Sequence, residues 1–192
     1  MVLRLPYKTG TVRVTSPYGM RTMDGVTAMH KGVDLVGTDK TIVAPCGGKI
    51  GWAGEYDDRL SGGRTHEWGN YVRLETAEGY MIYLCHMASL KVRQGQCVRV
   101  GDVLGVEGST GKSTGNHCHF EVRYGGKSMD PTPLLGIANR CGSYPVAVNV
   151  QKSKDYAKMV CDKAGLEEQT KKYLNQYKYA TDLWRKLWEA ME

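Results

Sequence analysis

Apolar and polar residues alternate with period two in short runs from Thr11 to Val122, and turn residues separate the runs. TVRVTS (11–16), TIVAP (41–45), GKIGWAG (48–54), NYVRLET (70–76), YMIYLCHM (80–87) and CVRVGDVLGVEG (97–108) each suit a buried or half-buried strand. Such close spacing predicts a mainly β chain, an antiparallel sheet or sandwich. Ser16-Pro17-Tyr18-Gly19 reads as a turn, with a Gly-containing loop after it that leads to Met29. Residues 55–68 interrupt the pattern with a polar loop, expected to rim a groove.

Beyond Leu135 the pattern changes. Residues 141–152 read as a linker, and glycines nearly vanish from Ser153 onward. Tyr156, Met159 and Val160 keep helical spacing, with Gly165 as a stop. Leu166, Thr170, Tyr173, Leu174 and Tyr177 continue it, and Leu183, Trp184, Leu187, Trp188 and Met191 form a third stripe. The organisation expected is therefore a β-domain over 1–140, a linker, and a small α-helical extension over 153–192. So short a helical unit buries little alone and is expected to dock on the β-domain or on a copy of itself, giving a homo-oligomer.

The last alternating stretch, GSTGKSTGNHCHFEVR (108–123), carries the chemistry. On a strand, His117 and His119 project to one face, and Cys118 turns to the other with Phe120. The preceding loop imitates a phosphate-binding G-x-x-x-x-G-K-[ST], but the position of its first glycine is Val106, so nucleotide binding is rejected. Upstream, His30 and Asp34 lie four apart in MHKGVDL, where Gly32 and the β-branched flank argue for extended or looped chain. His86 closes the apolar run 80–85. A hydrolytic zinc site needs three protein ligands and an open position for water. His30, Asp34 and one of His117/His119 can supply the ligands, and the other histidine with His86 remains for proton transfer.

Composition narrows the partners. The 192 residues are 41% hydrophobic and 24% charged, with a net charge of +6. That mild basic excess suits anionic partners, yet no dense Lys/Arg run or nucleic-acid signature is present, which argues against nucleic acid. No stretch approaches a membrane span, so no membrane insertion is expected. Six cysteines without C-x-x-C pairing predict free, mostly buried thiols. The start, MVLRLPYKTG, has no basic segment followed by an apolar core, and synthesis in a host cytoplasm without a signal peptide is expected.

SPYGMR, HKGVDL, the I-V-A-P…G-K-I segment, GNYVRL, YLCHM and the 108–123 stretch occur in the order found in lysostaphin/LytM-type zinc endopeptidases. The chain resembles that family from about Ser16 to Leu135. The resemblance implies a sheet flooring a groove and hydrolysis of peptidoglycan stems or cross-bridges. It implies zinc held by His30, Asp34 and His119, with His86 and His117 catalytic. Relatives that have lost ligands serve as amidase activators; here all five positions are retained. The alternative is a non-catalytic wall-binding or virion structural module that keeps the fold. Family members that cut glycine bridges carry a tyrosine before the first zinc histidine, and Thr22–Met29 contains none. A leaderless wall hydrolase further resembles a phage endolysin released by a holin, or a virion-associated lysin.

Overall fold

Cys118–Tyr124 forms the centre of the fold, and its alternation divides the molecule into a core side and a groove side. The computed structural model describes residues 1–23, 25–55 and 67–146. Most of the polar loop 55–68 and all of the helical stripes lie outside the described residues, and with them the self-association expected of those stripes. In chain order the elements are β1 (Thr11–Ser16), β2 (Gly19–Met23), β3 (Val26–His30), β4 (Val33–Gly37), β5 (Thr41–Val43), β6 (Gly48–Glu55) and β7 (Asn70–Glu75). There follow β8 (Tyr80–Cys85), β9 (Ser89–Leu90), β10 (Cys97–Val98), β11 (Val103–Val106), β12 (Cys118–Tyr124), β13 (Lys127–Met129), the helical turn α1 (Thr132–Leu135) and β14 (Gly142–Pro145).

The fold is mainly β and antiparallel. The large sheet runs β10-β6-β7-β8-β12-β4-β1-β14, and β13 folds back on β12. β12 lies between β8 and β4, with Phe120 opposite Leu84 on one side and Val33 on the other. Residues directly opposite in a ladder share a face, so one face of the sheet collects Cys118, Phe120, Val122, Leu35, Ile82 and Leu84, all buried. The small sheet β5-β11-β9 and the N-terminal Leu3, Leu5 and Tyr7 contribute to the same core. Each fully buried large side chain here stabilises the fold by about 1.5–3 kcal/mol. A one-residue slip of β12 would put this apolar set on the groove side, so burial itself holds the register.

A buried charge at the end of this core is fully paired. Glu107 accepts from the Tyr7 hydroxyl, the Gly37 N–H and Lys40 Nζ, which tethers the N-terminal segment to β4. Such pairing is what a carboxylate with no exposed side chain requires.

Two sequence expectations change. The stretch after Gly19, expected as a loop, is the hairpin β2–β3, whose strand VTAMH is exposed up to His30. With no core to face, it shows no apolar periodicity. The expected linker 141–152 begins with β14, an edge strand pairing with β1, and Val146 joins the core. β14 has a single bulky residue, Tyr144, so its strand character comes from the open β1 edge and not from patterning. The thiols are free as expected at Cys46, Cys85, Cys97, Cys118 and Cys141, but Cys97 and Cys141 are exposed. Among the described residues no helix is long and apolar enough to cross a membrane.

Candidate metal centre

The β4–β12 register sets His119 directly opposite Asp34, and both side chains stand on the groove face. His30 ends β3, opposite Gly19, and the turn Lys31-Gly32 brings it over the same point. Three donor atoms meet there. His30 Nε2 lies 3.1 Å from Asp34 Oδ1 and 3.0 Å from His119 Nδ1, and His119 Nδ1 lies 3.0 Å from Asp34 Oδ1. All three residues are buried. A tetrahedral zinc with bonds of about 2.0–2.1 Å separates its ligand atoms by roughly 3.3 Å. Two imidazole nitrogens and a carboxylate oxygen at this spacing fit such an ion with little adjustment.

Hydrogen bonds settle which ring nitrogen is free. A carbonyl oxygen can only accept, so His30 Nδ1, 2.8 Å from the Pro17 carbonyl, carries the proton and leaves Nε2 as the donor atom. His119 is turned the other way: Nε2–H donates to Glu121 Oε2 at 3.3 Å, freeing Nδ1. Glu121 is itself buried and accepts from Arg123 Nε. The Arg123 guanidinium lies over the Trp68 and Tyr83 rings, 5.2 and 4.8 Å from their centroids. Carboxylates and carbonyls behind ligating histidines hold ring orientation and raise basicity.

His86 and His117 stand beside the triangle, ring centroids 4.6 Å apart. Their Nδ1 atoms lie 2.8 Å from the carbonyls of Thr110 and Gly115. In the neutral rings Nε2 is therefore the unprotonated atom, and His117 Nε2 is 3.7 Å from Asp34 Oδ1. His86 has φ 63°, the one positive φ at a non-glycine among the described residues. Backbone held in this region costs about 1–3 kcal/mol and persists where surroundings enforce it.

The electrostatics of the side chains separate these groups. Burial pushes His86 down to about 4, and the neighbouring His117 and His119 add to the effect. Burial opposes the Asp34 carboxylate, but its close contacts with the His119 and His30 rings hold it well below the usual carboxylate range. Burial likewise opposes charge on His119 and Glu121. The Asp34 and Glu121 contacts nevertheless raise His119, and those of His119 and Arg123 lower Glu121.

These groups line a groove of about 760 Å³, with Arg21, Val26 and Ala28 on the hairpin side. All five residues singled out from the sequence face it. Arg21, Thr110 and Glu121 were not singled out, although all three lie inside quoted motifs.

The sequence model of peptidase family M23 matches residues 28–131, more than half of the chain and all five of these residues. The chain belongs to family M23. Over 125 residues it is 34% identical to the DD-carboxypeptidase/endopeptidase Mpg of Neisseria meningitidis serogroup B, covering 64% of this chain and 27% of that protein. Over 107 residues it is 33% identical to the murein hydrolase activator NlpD of Escherichia coli, covering 55% and 26%. The catalytic domain of the antimicrobial peptidase lysostaphin from Staphylococcus simulans shares the fold at a TM-score of 0.51 and 28% identity, covering 67% of this chain and 92% of that domain. The chain spans about a quarter of the length of the curated M23 relatives it matches.

Proposed function

We propose that the chain is a zinc-dependent endopeptidase that hydrolyses peptide bonds of bacterial peptidoglycan. The observation that carries this reading is the donor triangle of His30, Asp34 and His119 with two further imidazoles beside it. Zinc at that position supplies carbonyl polarisation and a water of lowered pKa, near ~7. The chain's own residues do the rest. Burial keeps His86 neutral at neutral pH, so its Nε2 can take the proton of the attacking water and return it to the leaving amine. His117 offers a second unprotonated Nε2 across the site, and once that nitrogen has taken up a proton it can hydrogen-bond the charge developing on the carbonyl oxygen.

Peptidoglycan as substrate is supported by the M23 relatives named for wall chemistry, Mpg as a carboxypeptidase/endopeptidase and NlpD as a murein hydrolase activator. Action at the cell wall follows from that substrate. The NlpD likeness favours the second reading, a module without activity of its own. The intact donor set and the two further imidazoles beside it weigh against it. The expected phage setting gains no support from the fold or the site.

Zinc content and peptide release from purified sacculi test the proposal together. One zinc per chain and loss of sacculus turbidity are expected. His30→Ala, Asp34→Ala and His119→Ala should lose both. His86→Ala and His117→Ala should keep zinc while turnover falls by ~10²–10⁴. A zinc-loaded chain that releases no peptide would overturn the peptidase reading.

A further inference from the structure

The Arg21 guanidinium is used on one side only. Nη1 donates to Asp34 Oδ2 at 3.0 Å and to Ser16 Oγ at 2.6 Å. Nε and Nη2, the side-on edge of the fork, have no protein partner among the described residues. The side chain is 35% exposed and lines the groove. Lys112, the other non-histidine cation lining it among the described residues, already stands 3.8 Å from the Glu67 carboxylate.

Placement makes this edge relevant to substrate. The hairpin register pairs Gly19 with His30 and Arg21 with Ala28, so Arg21 is one step along the same hairpin face from a triangle histidine. Asp34 gives Oδ1 to the triangle and Oδ2 to Arg21, which sets the guanidinium one carboxylate's width from the donor atoms. A guanidinium edge offers two parallel N–H groups that match a carboxylate. Because Nη1 is tethered, little ordering is lost when that edge is used.

We propose that the Nε–Nη2 edge of Arg21 binds a free α-carboxylate on the residue whose nitrogen is released by cleavage. This rests on the peptidase reading above. A terminal amino acid, or a diamino acid acylated on a nitrogen that shares its carbon with a free carboxylate, carries such a group one carbon from the scissile nitrogen. A residue inside a glycine bridge does not, because its carboxyl group is the next amide. The groove therefore selects direct, carboxylate-bearing linkages over glycine bridges.

The test uses the zinc-loaded full chain with two matched pairs. N-acetyl-D-alanine and its carboxamide are titrated by calorimetry, and a stem peptide ending in D-alanine is compared with its carboxamide in cleavage. Wild type should favour the acid about ten- to a hundredfold in both, the usual worth of a charged hydrogen-bonded pair. Arg21→Gln should bring both ratios close to one, and Arg21→Lys should fall between. Ratios near one in wild type would overturn the proposal. So would preference retained in Arg21→Gln, which would place the carboxylate on the metal. Acid-selective binding lost in Arg21→Gln, with neither peptide cut, would keep the carboxylate site and sink the peptidase reading. Cleavage of both peptides without preference would do the reverse.

Discussion

The carbonyl of Thr110 lies 2.8 Å from Nδ1 of His86, and the Thr110 N–H points back to the His86 carbonyl at 3.4 Å. The Thr110 hydroxyl donates to the Met87 carbonyl and accepts from the Asn70 N–H, both at 3.0 Å. One residue thus holds the His86 tautomer and braces the positive-φ backbone that aims the ring. Thr110→Val removes the hydroxyl and leaves both backbone partners without it, costing about 1–3 kcal/mol of stability. Turnover should drop on the order of ten- to a hundredfold through misplacement of His86, with zinc retained and KM little changed. Thr110→Ser should restore it. Unchanged kcat in a destabilised Thr110→Val would limit the residue to holding the loop.

Gly32 is small for a reason that lies across the sheet. A Cβ there would sit 2.5 Å from the Phe120 carbonyl and 2.8–2.9 Å from Cε1 and Nε2 of His119. The carbonyl belongs to the central strand, so the imidazole, whose Nε2 also contacts Glu121, is the group that must yield. Gly32→Ala is expected to weaken zinc at least tenfold by chelator competition and to cost about 1–3 kcal/mol in denaturant unfolding, the range of overpacked cores. Wild-type zinc affinity in this variant would show that the ring has room to move.

Much of this was legible in the chain because period two is a local property. His117-Cys118-His119 declares which side chains share a face, and the buried Cys118 and Phe120 obey it. The type of donor atom could be read from residue chemistry at His30 and Asp34. The supporting residues could not be read so, since their roles depend on which strands pair. Glu121 matters because it is two along from His119 on β12, and Arg21 because β2 pairs with β3. The exposed hairpin and the edge strand β14 leave no apolar pattern to read. Only the completed ladder reveals them.

Glu121 offers a test of ligand orientation separate from ligand identity. It accepts from His119 Nε2 and from Arg123, and the ring's other nitrogen completes the donor triangle. Glu121→Gln keeps the shape and an acceptor but removes the charge that makes His119 more basic. Zinc affinity should fall about ten- to a hundredfold, while zinc stoichiometry at saturation stays at one per chain. If competition titrations find no change, packing of the ring against Gly32 is sufficient to orient it.

The last expectation concerns acid stability of the chelator-treated protein. His86 is held near 4 by burial first, against an ordinary value of 6.5. Below 6.5 the unfolded chain takes up a proton that the folded chain refuses until about pH 4. The contribution of neutral His86 is therefore complete above 6.5 and lost as pH falls from there towards 4. Over that window it amounts to about 3 kcal/mol. His119, raised by Asp34 and Glu121 despite burial, acts with the opposite sign, since its contribution is complete below its ordinary value and fades as pH rises. Asp34 and Glu121, both lowered, lose theirs only at still lower pH than His86. Comparing wild type with His86→Asn isolates the one term. Denaturant unfolding between pH 7 and 4 should show a gap that narrows steadily as pH falls. Parallel curves would mean that His86 takes up its proton in the folded chain as readily as in the unfolded one.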